Sequence, residues 1–260
     1  MFYEHLRDSQ ALYKRDACSA FEHFHKSVEV IYNLGPDRVV FVDLKQLELR
    51  HGCVLALMPY QVHYLPYDPV NDGYCAVLPS ACSDSFLDVL KDLRPVSNII
   101  PSGKGTEMIK KEMQQLADGI QDNMFIREGH INMLLGALLD NMEFTEDPQN
   151  SQSGDFIQAV VSYVDAHYAE ELNIENVAHD FGYSKYYFSR LFNRYFYTNF
   201  TNYFNTVRIY KSLPMIARQR SSEVYFKVGF ASVQQYITYF KRTTGFTPTQ
   251  YRKIGNFKDR

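Results

Sequence analysis

The 260-residue sequence has no tryptophan, only four cysteines and no long apolar run. The longest such run, CVLALMPY, is well short of the roughly 20 residues that span a membrane. The start, MFYEHLRDSQ, lacks the basic and apolar segments of a signal peptide. No two cysteines form a CxxC pair, which argues against a zinc framework and favours reduced thiols. We therefore expect a cytoplasmic protein without a membrane partner; its cysteines are Cys18, Cys53, Cys75 and Cys82.

The charge is distributed unevenly along the chain. The net charge is −3, but residues 1–154 carry 13 basic against 22 acidic side chains, and residues 155–260 carry 14 against 8. The resulting balances of −9 and +6 predict two domains, the second of which suits a polyanion. Between them, EFTEDPQNSQSGD is rich in polar and turn-forming residues and is typical of a linker. We place the first domain at 1–145, the linker at 146–154 and the second domain at 155–260.

Secondary-structure patterns differ between the two parts. Short β-branched and aromatic runs occupy residues 20–90, separated by Gly, Pro, Asn and Asp, and this spacing predicts an antiparallel sandwich or barrel. Two helical patterns follow, with apolar stripes in 109–120 and 131–142. These stripes either pack against their own domain or form the contact of a homodimer. Beyond the linker, every pattern is helical, and Asp155 is a plausible N-cap for the first helix.

An internal repeat lies in the basic part of the chain. FGYSKYYFSRLFNRYF and VGFASVQQYITYFKRTT align at an offset of 48 residues. Gly182 and Gly229 suit the left-handed end of one helix, and Ser184 and Ser232 suit the N-cap of the next. Each copy therefore predicts a helix-turn-helix unit whose second helix enters a DNA major groove. The candidate DNA-binding residues are Ser184, Lys185, Tyr186, Tyr187, Ser189, Arg190 and Arg194 in the first unit, and Ser232, Gln234, Gln235, Thr238, Lys241 and Arg242 in the second.

Residues 155–255 resemble a known family. NVAHDFGYSKYYFSRLFNR and VGFASVQQYITYFKRTTGFTPTQYR are similar to the two helix-turn-helix units of the AraC/XylS family of bacterial transcription activators. The resemblance implies a seven-helix domain whose recognition helices enter successive major grooves, with promoter DNA and RNA polymerase as partners. Two departures concern the second unit: Tyr225 stands where the first unit has Ala178, and Pro214 falls within the joining helix. They predict a local rebuilding of that unit.

Histidines and a carboxylate form a second motif, in EHFHKSVEVIY. His23, His25 and Glu29 share one face of an extended strand, and His63 can approach from a neighbouring strand. Three imidazoles and a carboxylate can bind Fe, Mn or Zn, and the pattern resembles the metal motif of cupin barrels. Three interpretations stay open: a sensor pocket without metal, structural or surface histidines, and a metal site. We favour the first, without a cofactor, and predict contacts to an unknown small-molecule effector from His23, His25, Glu29, Tyr32 and His63.

These features together predict an α+β protein. Its N-terminal half is a cupin-like antiparallel β-barrel with two helices, and its C-terminal half is an all-α domain with two helix-turn-helix units. The predicted function is regulation of transcription through sequence-specific DNA binding under the control of a small molecule. No catalytic motif is present, so we expect no enzyme. Two alternatives are a cupin-type metalloenzyme with an appended helical domain and a regulator that senses a protein partner.

Overall fold

The computed structural model describes residues 12–14, 20–118, 123–147, 150–216 and 219–258. The chain divides into two compact units, with the division between Asp155 and Phe156. Cys18 lies outside the described residues, while Cys53, Cys75 and Cys82 form no disulfide with one another. Among the helices that the structure describes, none combines the length and apolar character needed to cross a membrane.

The first unit contains the strands and three helices. In chain order its strands are β1 (Leu12–Lys14), β2 (Ala20–His23), β3 (Val28–Asn33), β4 (Arg38–Val42), β5 (Lys45–Leu49), β6 (Val54–Leu57), β7 (His63–Leu65), β8 (Gly73–Leu78), β9 (Leu93–Pro95), β10 (Ile99–Ile100) and β11 (Phe144–Glu146). Its helices are α1 (Ser80–Val89), α2 (Lys104–Ala117) and α3 (Met124–Asn141).

Two antiparallel sheets form the centre of this unit. One has the strand order β1-β8-β3-β6-β10 and the other β2-β7-β4-β5, while β9 and β11 form a separate pair. Apolar side chains of both sheets, among them Ile31, Val40, Leu55 and Leu65, pack together in one core. The predicted α+β class and antiparallel β architecture are confirmed.

Helices cover the other face of the five-stranded sheet. Val30 and Tyr32 of β3 lie in a core with Ile109 of α2 and Leu134 of α3. Strand β3 is therefore buried on both faces along its whole length, including its polar residues Glu29 and Asn33. Of the two roles open to the stripes in 109–120 and 131–142, packing within their own unit is the one observed.

Two local expectations need correction. Helix α1 was not expected, because the polar residues in SACSDSFLDV weaken its apolar stripe. Helix α4 (Asn150–His167) begins five residues before Asp155, so Asp155 is not its N-cap. The segment predicted as a linker therefore includes the last residue of β11 and the first residues of α4. Asn, Ser and Gln cost less than about 0.7 kcal/mol each in a helix, so the apolar stripe that follows them can extend the helix through them.

Among the described residues, the second unit has seven helices. After α4 they are α5 (Ile174–Asp180), α6 (Lys185–Phe196), α7 (Phe200–Ile216), α8 (Ser221–Val224), α9 (Val233–Thr244) and α10 (Pro248–Lys258). Aromatic rings fill the interior around α6, where Phe188 and Phe192 are fully buried and Phe192 stacks on Phe196 at 4.1 Å. A second apolar cluster, which includes Ile209, Tyr236 and Phe240, joins α7 to α9.

Candidate DNA-binding surface and buried histidine cluster

The first helix-turn-helix unit consists of α5, a tight turn and α6. Gly182 has φ +72°, and the amide of the next residue, Tyr183, donates to the carbonyl of Ala178 at 2.8 Å. This six-residue closure is a Schellman motif, which needs a left-handed residue at the glycine position. Ser184 then caps α6, because its Oγ accepts from the Tyr187 amide at 3.3 Å. The predicted turn and cap are both confirmed.

Helix α6 separates an aromatic inner face from a polar outer face. Burial of Phe188 and Phe192 directs Lys185, Tyr186 and Arg190 outward. Tyr186 is 86% exposed, which is unusual for so large an aromatic ring. Of the seven candidates in this unit, Ser189 is half-buried and the others are exposed: Ser184, Lys185, Tyr186, Tyr187, Arg190 and Arg194.

Some candidate cations of α6 already have neighbours within the protein. Lys185 Nζ donates to Glu175 Oε1 at 2.7 Å, and this hydrogen bond raises the pKa of Lys185. The guanidinium of Arg190 lies 5.5 Å from the ring centre of Tyr187. Both pairs are at the surface, where solvent screens such contacts.

The second helix-turn-helix unit, which consists of α8, a tight turn and α9, has the same turn and cap hydrogen bonds as the first. Gly229 has φ +84°, the Phe230 amide donates to the Tyr225 carbonyl at 3.0 Å, and Ser232 Oγ accepts from the Gln235 amide at 3.2 Å. Burial of Tyr236 and Phe240 turns the polar face of α9 outward. Ser232 is half-buried, and the exposed candidates are Gln234, Gln235, Thr238, Lys241 and Arg242. The Thr238 hydroxyl donates to the Gln234 carbonyl at 2.9 Å, so its oxygen is left to accept.

The helix before the turn differs between the two helix-turn-helix units, as the departures in the sequence predicted. Helix α8 has four residues where α5 has seven, and Tyr225 is half-buried against the cluster around Ile209. Pro214 lies inside α7 (Phe200–Ile216). Proline has no backbone N–H, so α7 lacks the hydrogen bond that this position would otherwise donate.

Sequence reasoning missed the importance of Arg208, a buried residue of α7. Its Nε donates to the Tyr168 carbonyl at 2.7 Å, its Nη2 to the Glu170 carbonyl at 2.6 Å and its Nη1 to Asn205 Oδ1 at 3.2 Å. The guanidinium also lies 4.0 Å from the ring centre of Phe204. Burial lowers the pKa of Arg208 to about 10. The available signal was a basic residue between apolar neighbours on the buried face of α7.

In the N-terminal compact unit, the three predicted histidines and Glu29 form one buried cluster. The side chains of His23, His25, Glu29 and His63 are 0–1% exposed, and their possible ligand atoms all lie within 4.8 Å of one another. Their burial excludes the interpretation as surface histidines. We refer to these four residues as the histidine cluster.

The structure brings these four residues together, but the predicted arrangement of three of them along one extended strand is wrong. His23 ends β2 and pairs across the strands with His63 of β7, in the four-stranded sheet. Glu29 belongs to β3, in the five-stranded sheet, and a bend at residues 26–27 separates it from His25. The motif therefore crosses between two sheets instead of following one strand. Chain reversal at the bend brings the side chains together.

Tyr32 does not join the histidine cluster. Successive residues of a strand point to opposite faces, so Tyr32 shares the helix-facing side of β3 with Val30, whereas Glu29 faces the other sheet. The Tyr32 hydroxyl donates to Glu107 Oε1 at 3.3 Å. Burial, followed by the nearby Glu107 carboxylate, raises the pKa of Tyr32 to about 12. The prediction that Tyr32 contacts the same ligand as the histidines is not supported by this placement.

Comparison with known proteins gives relatives for both parts of the chain. Residues 177–254 match a family described as a helix-turn-helix domain. An HTH-type transcriptional regulator of Staphylococcus aureus strain MSSA476 is 21% identical over 212 residues, which are 81% of this chain and 27% of that protein. The chain thus spans about a quarter of that relative's length. An HTH-type regulator of Pseudoalteromonas carrageenovora is 27% identical over 97 residues, 37% of this chain and 58% of that protein.

The fold is similar to that of ToxT from Vibrio cholerae. A ToxT structure aligns with a TM-score of 0.56 and 12% identity, over 94% of this chain and 98% of that one. A ToxT structure bound to (E)-4-(8-methylnaphthalen-1-yl)but-3-enoic acid aligns with a TM-score of 0.54 and 11% identity, over 95% of this chain and 99% of that one. This likeness concerns the fold and covers a β-sheet unit followed by a helical unit. Residues 177–254 therefore carry a helix-turn-helix domain, in a chain whose fold is similar to that of ToxT.

Proposed function

We propose that the protein is a cytoplasmic regulator of transcription. It binds specific promoter DNA through its C-terminal compact unit and responds to a small effector through its N-terminal compact unit. The observation that carries this proposal is the pair of outward faces on α6 and α9. Each follows a Schellman turn and a serine cap, and each presents polar and basic side chains above a buried aromatic face. The helix-turn-helix match at residues 177–254 favours a regulator over the metalloenzyme alternative.

The side chains on the two faces suit different bases. Arg190 can pair with guanine through two hydrogen bonds, and Gln234 can pair similarly with adenine. The exposed methyl groups of Ile237 and Thr238 suit a thymine methyl. Lys241 and Arg242, in the last turn of α9, suit phosphates that fix the position of the helix. Base recognition by these residues is part of the proposal.

The net charges of the two parts of the chain agree with DNA binding by the C-terminal part and effector binding by the N-terminal part. The +6 of residues 155–260 favours DNA, and the −9 of residues 1–154 disfavours it. Binding of a small molecule has a parallel in the ToxT structure that holds a naphthalenyl-butenoic acid. Effector binding would change the population of conformations that fit the operator or contact RNA polymerase.

A homodimer is a further part of the proposal. At the start of α3, Phe125 is 78% exposed and Met124 and Ile126 are about half exposed. Met133, about two helical turns after Ile126, is also exposed. Apolar side chains grouped in this way favour contact with a second copy of the chain. Sedimentation of the full chain and of a Phe125→Ser variant tests this part: the variant should shift the equilibrium toward monomer.

The function is tested by selecting binding sites from random duplexes with the full chain. We expect an enriched motif that spans two major grooves, because two recognition faces are present. The affinity for this motif should fall steeply with salt, by about 0.9 in the logarithmic slope for each phosphate neutralised. A triple change of Arg190, Gln234 and Lys241 to alanine is the matched variant and should abolish the enrichment. Equal affinity for all duplexes at every salt concentration would contradict the proposal.

A further inference from the structure

The histidine cluster brings electron-pair acceptors together. His25 Nδ1 lies 3.1 Å from the Ser27 carbonyl, and His63 Nδ1 lies 2.9 Å from the Gln61 carbonyl. A carbonyl oxygen can only accept, so both Nδ1 atoms carry the ring proton. In the neutral rings, each Nε2 then presents a lone pair. These two nitrogens lie 2.9 and 3.3 Å from the same oxygen, Oε2 of Glu29.

Such a convergence calls for a positive charge at its centre. A carboxylate oxygen and two imidazole lone pairs repel one another at these distances unless a cation or a proton lies between them. The cluster is buried from solvent, which strengthens the repulsion because the local dielectric is low. Either a metal ion or a protonated imidazole satisfies this requirement, and the remaining contacts distinguish the two.

The surrounding contacts are those of an outer coordination shell. Histidines that bind a metal through one nitrogen usually donate from the other to a backbone carbonyl, as His25 and His63 do here. Ligating carboxylates are themselves held by hydrogen bonds, and Cys75 Sγ donates to Glu29 Oε1 at 3.4 Å. A single ion pair would need none of this repeated orientation.

The dimensions also suit one ion. Two ligands that are each about 2.1 Å from an ion lie at most about 4.2 Å apart. The ligand atoms of the cluster lie within 4.8 Å of one another, so a bound ion would have to draw the widest pair together by about 0.6 Å. The rings of His23 and His63 are centred 4.1 Å apart at 60°, and those of His25 and His63 are 5.1 Å apart at 76°. The rings are therefore inclined to one another, which allows three nitrogens to meet at one point.

We propose that His23, His25, Glu29 and His63 bind one divalent first-row transition-metal ion, and that this ion is the effector of the regulator. Imidazole ligands favour Zn, Fe, Ni and Cu, and a carboxylate also accommodates Mn. The ion would link the four-stranded sheet, through His23 and His63, to the five-stranded sheet, through Glu29. Binding at this position would stabilise one arrangement of the two sheets. The effector role rests on the function proposed above, whereas the site itself does not.

Metal binding is tested on the full chain after chelation. Zn²⁺ and Co²⁺ are titrated back, with metal content measured by mass spectrometry and the Co²⁺ site by its visible absorption. We expect saturation at about one ion per chain and a higher thermal midpoint with Zn²⁺, because the ion binds the folded state. Glu29→Gln, which keeps the shape but removes the charge, should weaken binding more than about 100-fold. The control is His51→Gln, an exposed histidine outside the cluster that should leave binding unchanged.

The wild-type titration decides the matter even if Glu29→Gln fails to fold. Absence of saturable binding of Zn²⁺, Co²⁺, Mn²⁺ and Fe²⁺ by the wild-type chain would overturn the metal site. Equal binding by wild type and a folded Glu29→Gln variant would also overturn it, because the ion would then lie elsewhere.

A second comparison separates the effector role from DNA binding itself. Affinity for the selected duplex is measured with metal-free and metal-loaded chain, and we expect a difference of at least about fivefold. Specific DNA binding without any metal binding would overturn this inference and leave the proposed function intact. Metal binding without specific DNA binding would overturn the proposed function and leave the site. Equal DNA affinity of both forms would remove the effector role alone.

Discussion

The two helix-turn-helix units use the same turn under different steric conditions. Gly182 and Gly229 both adopt a positive φ and both close a Schellman motif. A Cβ on Gly182 would meet no heavy atom within 4 Å, whereas a Cβ on Gly229 would lie 2.7 Å from the Ala169 carbonyl oxygen and from Arg208 Nη2. Glycine is thus required by conformation alone in the first unit and by conformation and space in the second. The repeat in the sequence conceals this difference.

Arg208 explains why the second turn is crowded. Its guanidinium holds the carbonyls of Tyr168 and Glu170, in the segment between α4 and α5, and lies 5.5 Å from the ring centre of Phe230. The segment, α7 and the second turn are therefore fixed by one side chain. In the first helix-turn-helix unit, by contrast, a Cβ added at Gly182 would have no heavy atom of the described residues within 4 Å.

The largest expected effect comes from removing this side chain. Arg208→Met keeps the aliphatic volume but leaves two carbonyl groups without their donor, each at a cost of about 1–3 kcal/mol. We expect the unfolding free energy of the C-terminal compact unit to fall by about 3–5 kcal/mol, measured by urea denaturation and far-UV circular dichroism. The control is Lys211→Met on the same helix, whose ion pair with Asp165 is half-exposed and worth about 1 kcal/mol or less. Equal effects of the two changes would contradict the role given to Arg208.

The next effect compares the two glycines directly. Gly182→Ala should cost about 1–2 kcal/mol, the penalty of a left-handed L-residue. Gly229→Ala should cost about 1–3 kcal/mol more, because its Cβ meets a backbone oxygen that cannot move freely. The same denaturation experiment on both variants measures the difference. If the two substitutions were equally destabilising, the second turn would have to be less crowded than the contacts indicate.

A third comparison concerns DNA reading by the two units. Arg190→Ala and Gln234→Ala should each weaken binding to the selected duplex by about 1–3 kcal/mol, and each should relax sequence preference at one position only. Non-specific affinity should change little. Competition binding with single-base variants of the duplex measures both quantities. Loss of affinity that is equal on every duplex would assign that side chain to a phosphate rather than a base.

The smallest effect concerns the serine caps. Ser184→Ala and Ser232→Ala each remove one acceptor for a backbone amide at the start of a recognition helix. We expect about 1 kcal/mol of destabilisation from each. Ser184→Asp and Ser232→Asp keep an acceptor and serve as controls that should retain stability. A cap variant with wild-type unfolding free energy would show that water replaces the hydroxyl.

Sequence reasoning succeeded where a local pattern determines local geometry. The repeat predicted the turns at Gly182 and Gly229 and the caps at Ser184 and Ser232, because left-handed backbone and capping are properties of a few adjacent residues. The outward faces of α6 and α9 followed from helical spacing. None of these features depends on distant parts of the chain.

It failed where distant segments meet. The spacing of His23, His25 and Glu29 gave the members of the cluster, but it could not reveal the bend that places them on two sheets. Tyr32 lies three residues after Glu29 on the same strand, so it faces the helices instead of the cluster. The hydrogen bonds of Arg208 join residues about 40 positions apart and have no local pattern.

The central claim, that both helix-turn-helix units read DNA, is tested most directly by base-modification interference on the selected duplex with the full chain and its Arg190→Ala variant. We expect two sets of interfering bases in successive major grooves on one face of the duplex, about 10 base pairs apart. Arg190→Ala should remove interference in one set and preserve the other. A single set of contacts in the wild type, or equal loss of both sets in the variant, would contradict the claim.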